Sequence, residues 1–418
     1  MFYTKMEEGT MEGKNIHPGF LILGTIIVQM GLGTIYTWSL FNQPLVNKFN
    51  WELSSVAITF SITSFALAFA TLFAGKLQEK WGIRKLIALT GFILGLGLIL
   101  TSQISSLLML YLLAGVIVGF ADGTAYITSL SNLIKWFPNR KGLISGVSVS
   151  AYGLGSLIFK YINTTLINTV GISQTFFYWG IIVMIMVVGG SLLLREAIIV
   201  ETPINAENAE NKRDYTVKEM LATKEVYFLF IMFFTACMSG LYLISIVKDI
   251  GVQLAGLNVA AAANAVAMIA IFNTIGRLIL GSLSDKVSRL KVIASTFFIT
   301  TIAVLTLIFV QLNYGGFFIC VAAIAFCFGG NITVFPAIVG DFFGLKNHSK
   351  NYGIVYQGFG LGALAGSFIA AFLGGFKPTF IVIGTLCVLS LIIAIFIKPP
   401  NHSKRENELE DISKAKLV

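Results

Sequence analysis

The sequence predicts an all-α membrane protein: twelve transmembrane helices in two pseudo-symmetric six-helix bundles. Three observations predict it. Twelve apolar runs are each about 20 residues long, enough to cross the ~30 Å hydrocarbon core as a helix. A polar stretch carrying both signs of charge, Arg195 to Glu225, separates the sixth run from the seventh. Short motifs of the first half return in the second at an offset of 206 to 207 residues. Composition agrees, with 56% hydrophobic and only 12% charged residues against about 25% in soluble proteins. The 35 phenylalanines suit a lipid-facing surface.

In chain order, a tail over 1–17 carries Glu7, Glu8 and Glu12 and shows no cleavage site, so the first run is expected to act as its own insertion signal. The N-terminal bundle, 18–194, holds runs near 18–41, 54–75, 86–104, 107–133, 143–168 and 174–194. A central loop covers 195–225. The C-terminal bundle, 226–397, holds runs near 226–247, 257–284, 290–312, 314–339, 353–374 and 378–397, and a polar tail closes the chain at 398–418. Loops on the side of both termini hold Lys76, Lys80, Arg84, Lys85, Lys135, Arg140, Lys141, Lys286, Arg289, Lys291, Lys346 and Lys350. The opposite loops hold only Lys48, Lys248 and Lys377. This asymmetry predicts cytoplasmic termini. It also accounts for the net charge of +9 without a nucleic-acid surface.

The repeat is specific. Gly75-Lys-Leu-Gln-Glu79-Lys80-Trp-Gly82-Ile-Arg84-Lys85 follows the second run, and Gly281-Ser-Leu-Ser-Asp285-Lys286-Val-Ser288-Arg289 follows the eighth. Tyr152-Gly-Leu-Gly returns as Phe359-Gly-Leu-Gly. Two unrelated matches at one offset indicate a duplicated six-helix unit. The pattern Gly-x-x-x-(Asp/Glu)-(Arg/Lys)-x-Gly-x-(Arg/Lys)-(Arg/Lys) resembles the signature of the major facilitator superfamily. Its charged residues, with Gly75, Gly82 and Gly281, are then expected to form a cytoplasmic gate. A narrower resemblance rests on Tyr36-Thr-Trp-Ser-Leu-Phe, Lys135-Trp-Phe-Pro-Asn-Arg-Lys-Gly-Leu, Tyr152-Gly-Leu-Gly, Phe335-Pro336 and Asn351-Tyr-Gly. These look like the oxalate/formate antiporter branch, and most like its bacterial inner-membrane subgroup. The resemblance implies transport of small organic anions by alternating access in the bacterial inner membrane.

Charge inside a membrane is costly and marks function by default. Three candidates lie inside the runs. Arg277 is roughly 12 Å in from the cytoplasmic end of the eighth, Asp122 roughly 20 Å in on the fourth and Lys160 roughly 27 Å in on the fifth, at 1.5 Å per residue. By the resemblance, Arg277 matches the anion-binding arginine of the eighth helix; its planar fork suits a carboxylate. The family's second cation, a lysine of the eleventh helix, is here Phe359. This departure favours monocarboxylates such as formate, lactate or pyruvate over oxalate, which remains the alternative. Lys160 either supplies a second charge or snorkels to the outer headgroups. Asp122 is a proton-coupling candidate or a fixed partner of Lys160 or Arg277, so proton symport and anion exchange both stay open.

The family's aromatic cavity maps onto Tyr36, Trp38, Tyr126, Tyr152, Phe328, Tyr356 and Phe359, with Ile332 where a relative has tyrosine. Glycine stripes at Gly142, Gly146, Gly153 and Gly155, and at Gly358, Gly360, Gly362 and Gly366, suit flexing gates or, alternatively, dimerisation. His17, His348 and His402 fall in loops and tails, which leaves no histidine relay within the membrane. Cys237, Cys320, Cys327 and Cys387 read as small buried hydrophobes. No nucleophile–base pair, metal cluster or nucleotide loop stands out, so neither enzymatic activity nor a cofactor or metal is expected. The expected partners are a small organic anion, protons and the lipid bilayer, around a monomer. A non-transporting anion sensor that signals through the central loop is the reading from another class.

Overall fold

The computed structural model describes residues 18–197, 214–253 and 255–400. The N-terminal tail, most of the central loop and most of the C-terminal tail, with His17 and His402, lie outside the described residues. The helices are labelled α1 to α12. In the first half, α1 is Pro18–Thr37, continued by a short helix Ser39–Phe49. Next come α2 Leu53–Trp81, α3 Ile83–Thr101 and α4 Leu107–Trp136. The stretch Lys141–Ser191 is two helices, α5 (141–170) and α6 (172–191), that meet at Gly171. The second half comprises α7 Lys224–Gln253, α8 Val259–Lys286, α9 Arg289–Phe309, α10 Tyr314–Phe343, α11 His348–Val355 continuing as Gln357–Leu373, and α12 Phe376–Phe396.

Ten helical stretches among the described residues are long and apolar enough to cross a membrane. One of them, Pro138–Ser191, is two crossings joined at Gly171, where φ is 78° and ψ 169°. A side chain would strain that backbone, whereas glycine lets the chain turn there within one residue. The 28-residue α8, which carries Arg277, completes the twelve expected crossings.

The duplication seen in the sequence is a duplication of packing. In the first half α1 lies on α5, α2 on α4 and α3 on α6. In the second half α7 lies on α11, α8 on α10 and α9 on α12. The glycine stripes are used inside the chain, because small residues let backbones approach. Gly155 meets the Met30 carbonyl of α1, while Gly358, Gly362 and Gly366 meet α7. Across the pseudo-twofold axis α5 packs on α8, and α11 on α2. Those two seams separate the halves and enclose the site. α10 is the most interior helix, buried without a break from Cys327 to Gly340. Phe65, Phe69 and Phe73 form an exposed stripe on α2, as lipid contact requires.

Candidate functional site

Midway along the seams a small cavity opens between the halves. It is lined by Tyr36, Tyr126, Val149 and Tyr152 of the first half and Arg277, Phe328, Ile332, Tyr356 and Phe359 of the second. The space between these side chains is small, ≈ 20 Å³, about enough for one water. The rings form a continuous wall. Tyr36 meets Tyr152 edge-on at 5.1 Å between centroids, Tyr152 meets Tyr126 at 5.5 Å, Tyr126 tilts against Tyr356 at 5.3 Å, and Tyr356 stacks on Phe359 at 5.2 Å. Arg277 is the one charged side chain in this lining. It is 7% exposed, and its Nη1 donates to the Val149 carbonyl across the seam at 2.5 Å. Its Nε has no partner. One edge of the guanidinium is therefore committed to the protein.

The structure brings together seven of the residues singled out in the sequence: Arg277, Tyr36, Tyr126, Tyr152, Phe328, Tyr356 and Phe359. Two others lie elsewhere. Trp38 packs into a separate aromatic cluster with Phe41 and Phe176. It is two residues past Tyr36, and that step turns it by roughly 200° to the other face of the helix. Lys160 lies two turns beyond Tyr152, exposed, with its ammonium 5.7 Å from the Tyr161 ring. It snorkels outward instead of facing the cavity.

Asp122 sits behind the wall. It is fully buried, and its Oδ1 accepts from the Tyr152 hydroxyl at 3.2 Å while Oδ2 has no partner. Among the described residues it makes no ion pair, so the expected alternative of a fixed salt bridge to Lys160 or Arg277 is not what the geometry contains. The carboxyl touches the cavity only through a phenol.

The side of the molecule that carries both ends of the described chain is rich in Lys and Arg, and the halves are joined there. Asp285 caps the start of α5, accepting from Gly142 N at 2.9 Å and Leu143 N at 2.8 Å. This carboxylate meets the partial positive charge of a helix N-terminus. Arg289 pairs with Asp285 at 3.0 Å and with Asp341 at 2.9 Å, and Asp341 reaches Lys141 at 2.5 Å. On the other seam Lys350 pairs with Glu79 at 2.5 Å. Gly75 lies against Lys350, where a Cβ would fall 2.5 Å from its Cγ, and Gly281 lies against the Gly142 carbonyl. Gly82 takes φ 73° at the α2–α3 turn, and Arg84 donates to the Leu192 carbonyl. Lys80, Lys85 and Lys286 of the same motifs are exposed. The two motif copies thus act differently: the second caps a helix across the seam, and the first makes a surface ion pair.

Sequence reasoning missed several of the side chains that make contacts on this side. His348 is completely buried at the start of α11, not in an open loop, and bridges the Ser131 hydroxyl at 2.9 Å and the Pro336 carbonyl at 2.7 Å. Gln357 donates to the Ala68 carbonyl at 2.7 Å, and Ser349 to Gln78 at 3.0 Å. Asn351, part of the quoted Asn-Tyr-Gly motif, holds the Tyr215 carbonyl at 3.0 Å and so fastens the end of the central loop to α11. None of these has a spacing signature, because each partner lies in a distant segment. Replacing Asp285 by Ala uncaps α5. The expected result is a destabilisation of the closed α5–α8 contact by about 1 kcal/mol, read as severalfold faster maleimide labelling of a cysteine placed at Ser349.

Comparison with known proteins agrees with this architecture. The sequence profile of the Major Facilitator Superfamily matches residues 21–313 and 227–417. The chain belongs to the Major Facilitator Superfamily. It is 48% identical over 343 residues to "Uncharacterized MFS-type transporter YhjX" of Escherichia coli (strain K12), covering 82% of this chain and 85% of that protein. It is 26% identical over 392 residues to the "Oxalate:formate antiporter" of Oxalobacter formigenes, covering 91% of each. Both relatives are consistent with the oxalate/formate-like branch of the superfamily. Among solved structures it resembles the superfamily transporter FucP in the outward conformation, with a TM-score of 0.67 at 13% identity over 90% of this chain and 98% of that one. That likeness establishes the fold. This superfamily member is a multi-pass membrane protein with the fold of transporters.

Proposed function

We propose that this protein carries small monocarboxylates of the formate, lactate and pyruvate class across the bacterial inner membrane by alternating access. The observation that carries the reading is the charge inventory of the cavity: one guanidinium, four phenols and, at the family's second cation position, Phe359. A monocarboxylate neutralises Arg277 and accepts from the phenols. A dicarboxylate leaves one negative charge buried without a partner, at a cost of several kcal/mol. The Lys- and Arg-rich side is assigned to the cytoplasm by the positive-inside rule, with both termini there. In this orientation the shut gate faces the cytoplasm, and Asp122 is the group placed to carry a coupling proton. The antiporter relative from Oxalobacter supports exchange of oxalate as the second reading.

The test is counterflow in proteoliposomes with labelled carboxylates, with and without a pH gradient. Monocarboxylates are expected to compete better than oxalate. Phe359→Lys, which restores a second cation, is expected to shift the preference toward oxalate by about tenfold or more, since the Lys ammonium then pairs the second carboxylate. Tighter binding of oxalate than of any monocarboxylate by the unmodified protein overturns the reading. A sensor without transport would bind carboxylates yet show no counterflow.

A further inference from the structure

Arg277 stands on the second half of the molecule, and its hydrogen-bond partner stands on the first. The bond from Nη1 to the Val149 carbonyl, at 2.5 Å, crosses the α5–α8 seam at the level of the cavity. This is the seam that the Asp285 cap closes at its cytoplasmic end. Opening toward the cytoplasm draws α5 and α8 apart, so the latch and the Arg277 bond have to break together. The two breaks differ in cost. Asp285 is 11% exposed at its side chain and meets water when released. Arg277 is buried, its Nε already lacks a partner, and Val149 is its hydrogen-bond acceptor among the described residues. Without Val149 the guanidinium loses its hydrogen-bond acceptor among the described residues, and a buried donor left without one is costly.

Gly153 leaves the guanidinium room for this bond. A Cβ at this position would stand 3.0 Å from Nη1 and 3.8 Å from Cζ. The neighbouring Gly146, whose Cβ would fall 2.7 Å from the Arg277 carbonyl, brings the two backbones close enough for the side chain to cross. The repeat-related glycine, Gly360, faces Ala68 and no cation, so this use of the motif belongs to one seam only.

We propose that the Arg277–Val149 hydrogen bond locks the empty carrier with its cytoplasmic side shut, that a bound carboxylate releases the lock by replacing Val149 as acceptor, and that Gly153 is the positioning residue for this bond. The proposal rests on Arg277 as the carboxylate partner. It gives the transport cycle a direction of coupling. The loaded carrier turns over readily and the empty carrier turns over slowly, so exchange outpaces net movement. A charge-assisted hydrogen bond of this kind shifts an equilibrium by about tenfold or more.

The experiment measures opening directly. Spin labels go on Leu192→Cys and Val287→Cys, two exposed sites on opposite halves at the cytoplasmic side. The native cysteines are all buried and stay unlabelled. Distances are recorded in reconstituted protein without anion, then with formate, lactate or pyruvate. The empty unmodified protein is expected to give one short distance, and at least one carboxylate to populate a longer one. Arg277→Gln, which removes the donor, is expected to populate the longer distance without anion about tenfold above the unmodified protein, and Gly153→Ala, whose Cβ would stand 3.0 Å from Nη1 and crowd the bond, is expected to populate it by a smaller amount. In Gly153→Ala the ratio of exchange to net efflux falls correspondingly. A variant that fails to insert leaves the other to decide. If the empty variants stay as shut as the unmodified protein, the lock is overturned, whatever the carboxylates do. If the variants open while no carboxylate moves the unmodified protein, the shut-state bond stands, but its release by a carboxylate is overturned and the monocarboxylate reading falls with it.

Discussion

Arg277→Gln is expected to lower carboxylate uptake by about a hundredfold or more while the protein still inserts and folds. Truncating one partner of a buried charge pair costs about 2–5 kcal/mol, and every 1.4 kcal/mol is tenfold. The cavity has no second cation in its lining to take over. Arg277→Lys is expected to fall nearly as far. An ammonium is a point charge and cannot grip a carboxylate with two parallel hydrogen bonds, whereas a planar fork can. The measurement is initial uptake of labelled substrate into proteoliposomes, normalised to protein content, beside a thermal unfolding curve of the same preparation. Near-normal uptake by either variant would leave Arg277 as a structural tie between α5 and α8 and nothing more.

Asp122→Asn separates the two driving modes. The expected result is loss of uptake driven by a pH gradient, with substrate-for-substrate exchange retained, because exchange requires no net release of a proton. The structure makes this variant informative. The carboxyl accepts a single hydrogen bond, from Tyr152, which the amide oxygen of Asn can also accept. No buried cation is left unpaired by the change among the described residues, so a collapse of folding is not expected. Tyr152→Phe provides the companion measurement. It removes the phenol between Asp122 and the cavity and is expected to weaken gradient-driven uptake more than exchange. Full gradient-driven uptake by the Asn variant excludes Asp122 from coupling.

The fold was legible because a membrane imposes a coarse rule that composition alone reveals. A 20-residue apolar run has one stable conformation in hydrocarbon, so counting such runs counts helices. The duplication was legible because Gly75 and Gly281, and Tyr152-Gly and Phe359-Gly, keep the same places in the two packing patterns. Arg277 and Asp122 were legible because charge is rare in such runs. The aromatic wall was legible only through the resemblance: periodicity puts Tyr36 and Trp38 on opposite faces but does not say which of them meets the cavity.

What the sequence determined by itself was the number of crossings, their pairing into two repeats, the side rich in cations and the identity of the rare intramembrane charges. What only the tertiary structure decided was partnership. Lys160 stands at an apolar depth by count, yet its flexible stem carries the ammonium outward to the surface. His348 lies in a loop by count, yet the closure of α4 against α10 and α11 buries it between Ser131 and Pro336. Arg277 finds its acceptor 128 residues away, on a carbonyl that carries no side-chain signature. Hydropathy is a sum over neighbours in the chain, and one sequence is enough to compute it. A hydrogen bond across a seam depends on the relative placement of two helices to within a few tenths of an ångström, and only the packed molecule fixes that.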